Sequence, residues 1–188
     1  MSLRKPKVKM SVEEYLEWEK DGTVRHEYVD GEVYAMSGTS KRHNRVATNL
    51  TIQLSARLRG GPCQVYISDV KVFIQALNCF YYPDVVVACD PEDNDDYFVN
   101  RPVLVVEVES PSTSLIDRRE KLMAYRKLES LREYVMLAQD SISAVVFHRD
   151  EKGEWWSEQL GPADELRLES VGLIVPLSTL YEGVDLAE

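Results

Sequence analysis

Tyr82-Pro83-Asp84-Val85-Val86-Val87-Ala88 and, beyond a polar loop, Pro102-Val103-Leu104-Val105-Val106-Glu107-Val108-Glu109 are the stretches whose reading decides the fold. Both belong to short apolar runs rich in β-branched residues, residues 81–88 and 102–108, the pattern of strands buried in the middle of a sheet. Each also carries an acid where an unpaired charge is costly. Asp84 follows a proline that can only start, edge or bulge a strand, and Glu107 closes a run that is otherwise wholly apolar. Singly, each acid reads as a strand-end cap or an acceptor for a backbone amide. As a pair, one from each of two neighbouring strands, they read as ligands of a single divalent cation.

Working outward, residues 64–75 form a further β-branched and aromatic run and are expected to join the same sheet. The helix before it is set by Val46, Leu50, Leu54 and Leu58 recurring every fourth position, with Gly60-Gly61 as its stop. Upstream, Asp30-Gly31 between His26-Glu27-Tyr28-Val29 and Glu32-Val33-Tyr34-Ala35-Met36 predicts a β-hairpin. Ser11 and Glu14 form a capping box for a first short helix. Downstream, Ser114 to Asp117 offers a second capping box, for a helix with the stripe Leu122, Tyr125, Leu128. Strands follow at residues 134–137, 144–148 and 155–159. Strand, strand, helix, strand implies an α/β fold with a central mixed β-sheet flanked by helices. The acidic loop Asp90 to Asp96 lacks the alternating ligands and glycine of a calcium loop and reads as a solvated connection.

With 188 residues and 44% apolar content, a single domain with a real core is expected, residues 1–9 being a flexible basic arm. A net charge of −10 argues against a general binder of phosphate backbones, although bound cations invert local electrostatics. Cys63, Cys79 and Cys89 match no zinc pattern and are expected to be free thiols in a reducing compartment. With no apolar span long enough to cross a membrane, a cytoplasmic protein without membrane contacts is expected.

Hydrolysis of a phosphodiester needs a metal that neutralises the phosphate and activates water. Hard carboxylate oxygens suit Mg²⁺, or Mn²⁺, which keep several waters and need only one or two protein acids. The 84-to-107 spacing matches the PD-(D/E)xK nuclease motif, except that the lysine two residues after the second acid is replaced by Glu109. Residues 107 and 109 share a sheet face, so Glu109 projects where that lysine would. It is either a further metal ligand or a solvent-facing acid beyond the strand end. Lys121, about two turns into the following helix and roughly 10 Å along its axis, can reach back toward the strand end. Its alternative partner is Asp117 at i, i+4.

The order of these pieces resembles the Uma-two family, a bacterial family of restriction-endonuclease-like proteins. The residues that carry the resemblance are Glu27 to Glu32, Arg42-His43-Asn44, Tyr82 to Val86, Glu107 to Thr113, Asp117 to Lys121 and Arg132-Glu133-Tyr134. It spans roughly residues 10–185. The resemblance implies the restriction-endonuclease-like fold with the motif lysine migrated onto the helix, Asp84 and Glu107 on the metal and Lys121 as the displaced lysine. It further implies a catalytic acid at Glu32 and a phosphate contact at His43, beside Arg42. Glu109 departs from the family, where that position is commonly apolar. The implied activity is endonucleolytic cleavage of nucleic acid, DNA foremost, by a protein that pairs as a homodimer. The competing reading is a non-catalytic binding module on the same fold. A third, compatible with either, is a structural dimer subunit with an exposed patch of Trp155, Trp156 and Tyr181.

Overall fold

The computed structural model describes residues 9–109 and 115–186, apart from the side chains of residues 115–117. Most of the basic arm, residues Ser110 to Thr113, Ser114 as the expected cap and the Asp117 side chain lie outside the described residues. In chain order the elements are α1 (Val12–Lys20), β1 (His26–Val29), β2 (Glu32–Ala35), α2 (Lys41–Leu58), β3 (Gln64–Ile67), β4 (Lys71–Ile74), β5 (Cys79–Tyr81), β6 (Val85–Ala88), β7 (Phe98–Val99), β8 (Pro102–Glu109), α3 (Leu115–Tyr125), β9 (Glu133–Ala138), β10 (Ala144–Arg149), β11 (Trp155–Leu160), β12 (Glu165–Leu168) and β13 (Leu173–Pro176).

The local signals act as the sequence predicts. At α1 the Glu14 amide donates to Ser11 Oγ and the Ser11 amide donates to the Glu14 carboxylate, the two halves of a capping box. Asp30 and Gly31 both take positive φ, as a hairpin turn that matches strand twist requires. Ser40 caps α2 by accepting from the His43 amide.

Two larger sheets and a small one result. The six-stranded sheet runs β11-β10-β9-β8-β6-β3, antiparallel except for the β8–β9 pair. The five-stranded sheet runs β2-β1-β5-β4-β7, and β12 pairs with β13. A parallel pair needs a crossover, and α3 is that crossover from β8 to β9. Alternation along β8 then divides the chemistry. Leu104, Val106 and Val108 face one core with Val46, Leu50 and Leu54 of α2 and with β12 and β13. Val105 faces the other, with Ala124 and Tyr125 of α3 and with Val72 and Tyr81 of the five-stranded sheet. Glu107 and Glu109 belong to this second face.

Several expectations are corrected. Residues 64–75 are not one strand: the run breaks after Ile67, where Ser68 has positive φ, so β3 and β4 join different sheets. The apolar run 81–88 likewise divides at Tyr82-Pro83, because proline has no amide to continue the ladder, leaving β5 and β6 in different sheets. The cysteines are not all free: Cys63 and Cys89 are joined by a disulfide, just beyond the Gln64–Ala88 pair of β3 and β6, and Cys79 is buried and free. The acidic loop is an organised one rather than a merely solvated connection. Asp93 accepts from the Asn100 and Arg101 amides, and Asp90 pairs with Arg101. The aromatic patch does not form, because Tyr181 is buried with its hydroxyl donating to the Ala138 carbonyl, Trp155 packs on the core, and only Trp156 is exposed. Among the described residues no helix is long and apolar enough to cross a membrane.

Leu50 is fully buried and Ile52 is 57% exposed on the same helix. Leu50→Ala is expected to lower unfolding free energy by about 2–5 kcal/mol. Ile52→Ala should cost within about 0.5 kcal/mol, and urea denaturation of the two variants checks the orientation of α2.

Candidate active site

The β6–β8 register brings the two acids of the opening stretches together. Val85 pairs with Val106, so Asp84 stands opposite Glu107 on the face covered by α3. Asp84 is held at both oxygens. Oδ1 lies 2.7 Å from Nε2 of His43, and Oδ2 accepts from the Val108 amide at 2.7 Å. His43 reaches it because the Ser40 cap fixes the first turn of α2 above the strand ends. Ser40 Oγ donates to Gln139, whose amide donates to the Glu109 carbonyl, tying that helix start to the ends of β8 and β9.

Glu107 is met from α3. Its Oε1 accepts from Lys121 Nζ at 3.2 Å and from the Tyr125 hydroxyl at 3.1 Å. The Lys121 amine also lies 2.8 Å from Oε1 of Glu27, which is 2% exposed on β1, and 5.6 Å from the Tyr81 ring centroid. Glu27 therefore links the five-stranded sheet to the site. Sequence reasoning gave this role to no residue and placed Tyr125 only in the core stripe. The available signal was an acid inside a strand of otherwise inward-facing residues, His26-Glu27-Tyr28.

The other residues singled out from sequence take separate positions. Glu32 accepts from the Tyr34 hydroxyl and lies 3.7 Å from Lys9, so it is engaged at the hairpin end. Glu109 is neither solvent-facing nor gathered with Asp84: it is half-buried and forms a 2.9 Å ion pair with Nε of Arg118. Arg42 is half-buried and Lys41 and Arg45 are exposed at the start of α2, while Arg119 is exposed on α3.

Electrostatics follow from this crowding. Burial pushes the Glu107 carboxyl up to about 7; Asp84 and Glu27 add to the rise, and Lys121 opposes it. Burial alone would lower Lys121, but Glu107 and Glu27 outweigh it and hold the ammonium above its ordinary range. Burial raises Glu109 too, against Arg118. Three carboxylates thus share one buried ammonium and one imidazole. Such an excess of hard oxygen donors fits a divalent cation. Among the described residues no group of three or more His, Cys, Asp or Glu side chains is placed to hold a metal ion by itself.

The Uma2 family, described as "Putative restriction endonuclease", matches residues 12–178. The chain belongs to the Uma2 family. It is 37% identical over 180 residues to "Uncharacterized protein slr1290" of Synechocystis sp., covering 95% of each chain. It is also 32% identical over 133 residues to "Uncharacterized protein sll1609" of the same organism, covering 69% of this chain and 75% of that one. Among solved structures it is similar to "a putative nuclease belonging to DUF820" from Anabaena variabilis. That match has a TM-score of 0.76 at 12% identity, over 94% of this chain and 99% of that one, and so shows a shared fold. Family and fold are those of restriction-endonuclease-like proteins.

The Lys121 pairing has a measurable consequence. Lys121→Met leaves Glu27 and Glu107 buried together without their cation, and loss of one partner of a buried pair costs about 3–5 kcal/mol. Burial already raises the Glu107 carboxyl, and without Lys121 to oppose that rise the folded state binds its proton more tightly than the unfolded chain does. The deficit should therefore be largest above pH 7 and shrink as pH falls toward 5. Urea denaturation across that range, with the parent protein alongside, checks it.

Proposed function

We propose that this Uma2 protein is a metal-dependent endonuclease that hydrolyses phosphodiester bonds in DNA. The observation that carries the proposal is the meeting of Glu107 and Lys121, with Asp84 directly opposite in the sheet register. Asp84 and Glu107 would hold Mg²⁺ or Mn²⁺. When bound, that ion supplies charge neutralisation at the phosphate and a water of lowered pKa. The chain's own groups do the rest. His43 and the Val108 amide orient Asp84 through its two oxygens. Tyr125 and Lys121 orient Glu107, and the Lys121 ammonium stands ready to stabilise negative charge developing on the phosphate. Glu27 keeps that amine protonated and in place. Lys41, Arg42, Arg45 and Arg119, at the starts of α2 and α3, give the strand-end rim a positive collar for a phosphate backbone. Glu32 and Glu109 have their own partners and take no place on the metal in this reading.

With Mg²⁺ or Mn²⁺ the protein is expected to cleave single- or double-stranded DNA. Asp84→Asn, Glu107→Gln and Lys121→Met should each lose at least about 10²-fold in rate. Absence of cleavage of any DNA form, together with unaltered melting on adding Mn²⁺, would instead leave a non-catalytic binding module. Metal binding carries its own pH signature. Glu107 must lose its proton to take a cation, and burial holds its carboxyl near 7. Mn²⁺ affinity should therefore rise as pH increases toward 7 and level off above it, a trend that calorimetric titration of the parent and Glu107→Gln would display or exclude.

A further inference from the structure

A cavity of about 350 Å³ adjoins the proposed cleavage site on the same sheet face. Its floor crosses four strands in register. Met136 pairs with Glu107, Ala138 with Glu109, Val145 with Met136, and Gln159 with Val145. Glu109 and Arg118 line it on the β8 and α3 side, and Asp140, Ser143 and Gln159 add polar groups around an apolar floor. Glu109 is one same-face step from Glu107, about 7 Å along a strand. A phosphate held at Asp84 and Glu107 would therefore carry its own nucleotide's base to the cavity mouth. The volume lies at the lower end of the range that takes a small ligand, about 300–1,000 Å³. An apolar floor with a few placed polar groups is the usual make-up of such a site.

We propose that this cavity is a specificity subsite for an unpaired guanine next to the scissile phosphate. The inference rests on the nuclease reading above and names its substrate more closely. A carboxylate accepts two parallel hydrogen bonds, and guanine presents two such donors side by side on its pairing edge, N1–H and the N2 amine. Its O6 and N7 accept from a guanidinium, the commonest specific arginine contact with a base. Glu109 and Arg118 supply that acid and that guanidinium as a ready-made pair, 2.9 Å apart. Thymine has no exocyclic amine for Glu109. The pairing edge of guanine is occupied in a duplex, so the base must be extruded or already single-stranded. The acid at position 109 is on this reading a reader of the base.

The test uses full-length Lys121→Met protein with Mn²⁺, which keeps Asp84 and Glu107 while cleavage is slowed, and short labelled oligo-dT strands carrying one central dG, dA, dC or no substitution. Fluorescence anisotropy is expected to show the dG strand bound about tenfold more tightly than the others. Glu109→Gln should reduce that preference below about twofold, and Ala138→Phe, which fills the cavity from β9, should do the same. Equal binding of all four strands, or a guanine preference that survives both variants in folded protein, overturns the proposal. Cleavage by the parent protein with flat base preference would sink the subsite and keep the nuclease. Guanine preference without cleavage by the parent would do the reverse.

Discussion

The ammonium of Lys121 is the contact on which the two halves of the structure depend. It sits on α3, touches Glu107 of the six-stranded sheet and Glu27 of the five-stranded sheet, and is itself buried with only 17% of its side chain exposed. A buried amine with one carboxylate would be a local ion pair. With two, from different sheets, it also fixes how the crossover helix and the hairpin sheet meet. Tyr81 and Tyr125 complete the enclosure, each packed against the other at 5.8 Å between ring centroids. The aromatic surroundings lower the local dielectric and make each of these charges matter more.

Such an arrangement is a poor investment for stability alone. Burying ion pairs costs as much desolvation as it returns, and a well-packed apolar core does as well or better. Here the imbalance goes further, because Asp84 adds a third acid and keeps Glu107 reluctant to ionise. A cluster held together against its own repulsion, at the ends of parallel strands β8 and β9 and beneath two helix starts bearing Lys and Arg, is where chemistry is expected in sheets flanked by helices. The overall charge of −10 is then no contradiction. Within the acidic loop at residues 90–96, Asp90 is engaged by Arg101 and Asp93 by backbone amides, so part of that charge is internally compensated.

How much of this was legible in the sequence depended on distance along the chain. Alternation in β8 put Glu107 and Glu109 on one face, and the capping box of α1, the glycine stop of α2 and the hairpin turn declared themselves, because each of those signals is local. Adjacency of Asp84 and Glu107 was readable as two acids interrupting apolar runs. The partners that come from other sheets were not. Glu27 reads as one more strand residue until β1 is paired with β5, and Cys63 and Cys89 become neighbours only through the register of β3 on β6. Pro83 reads locally as a strand start, whereas its larger effect needs the sheets themselves: it ends one sheet and lets the next begin. The pairing of Glu109 with Arg118 was equally out of reach, since it depends on which way α3 crosses β8.

That crossing explains why an acid is accommodated at position 109. Helix α3 runs back along β8, so early helix positions meet late strand positions. Arg118 accordingly meets Glu109 and Lys121 meets Glu107. Arg118 and Lys121 are three apart and share a helix face. Their rise of about 4.5 Å along the axis and the roughly 7 Å between Glu107 and Glu109 are spanned by flexible side chains. Two cations on the helix thus oppose two acids on the strand. A lysine at position 109 would face Arg118 with like charge while Lys121 already served Glu107. With Lys121 on the helix already paired to Glu107 and Arg118 beside it, an acid at 109 is the residue that its neighbours favour.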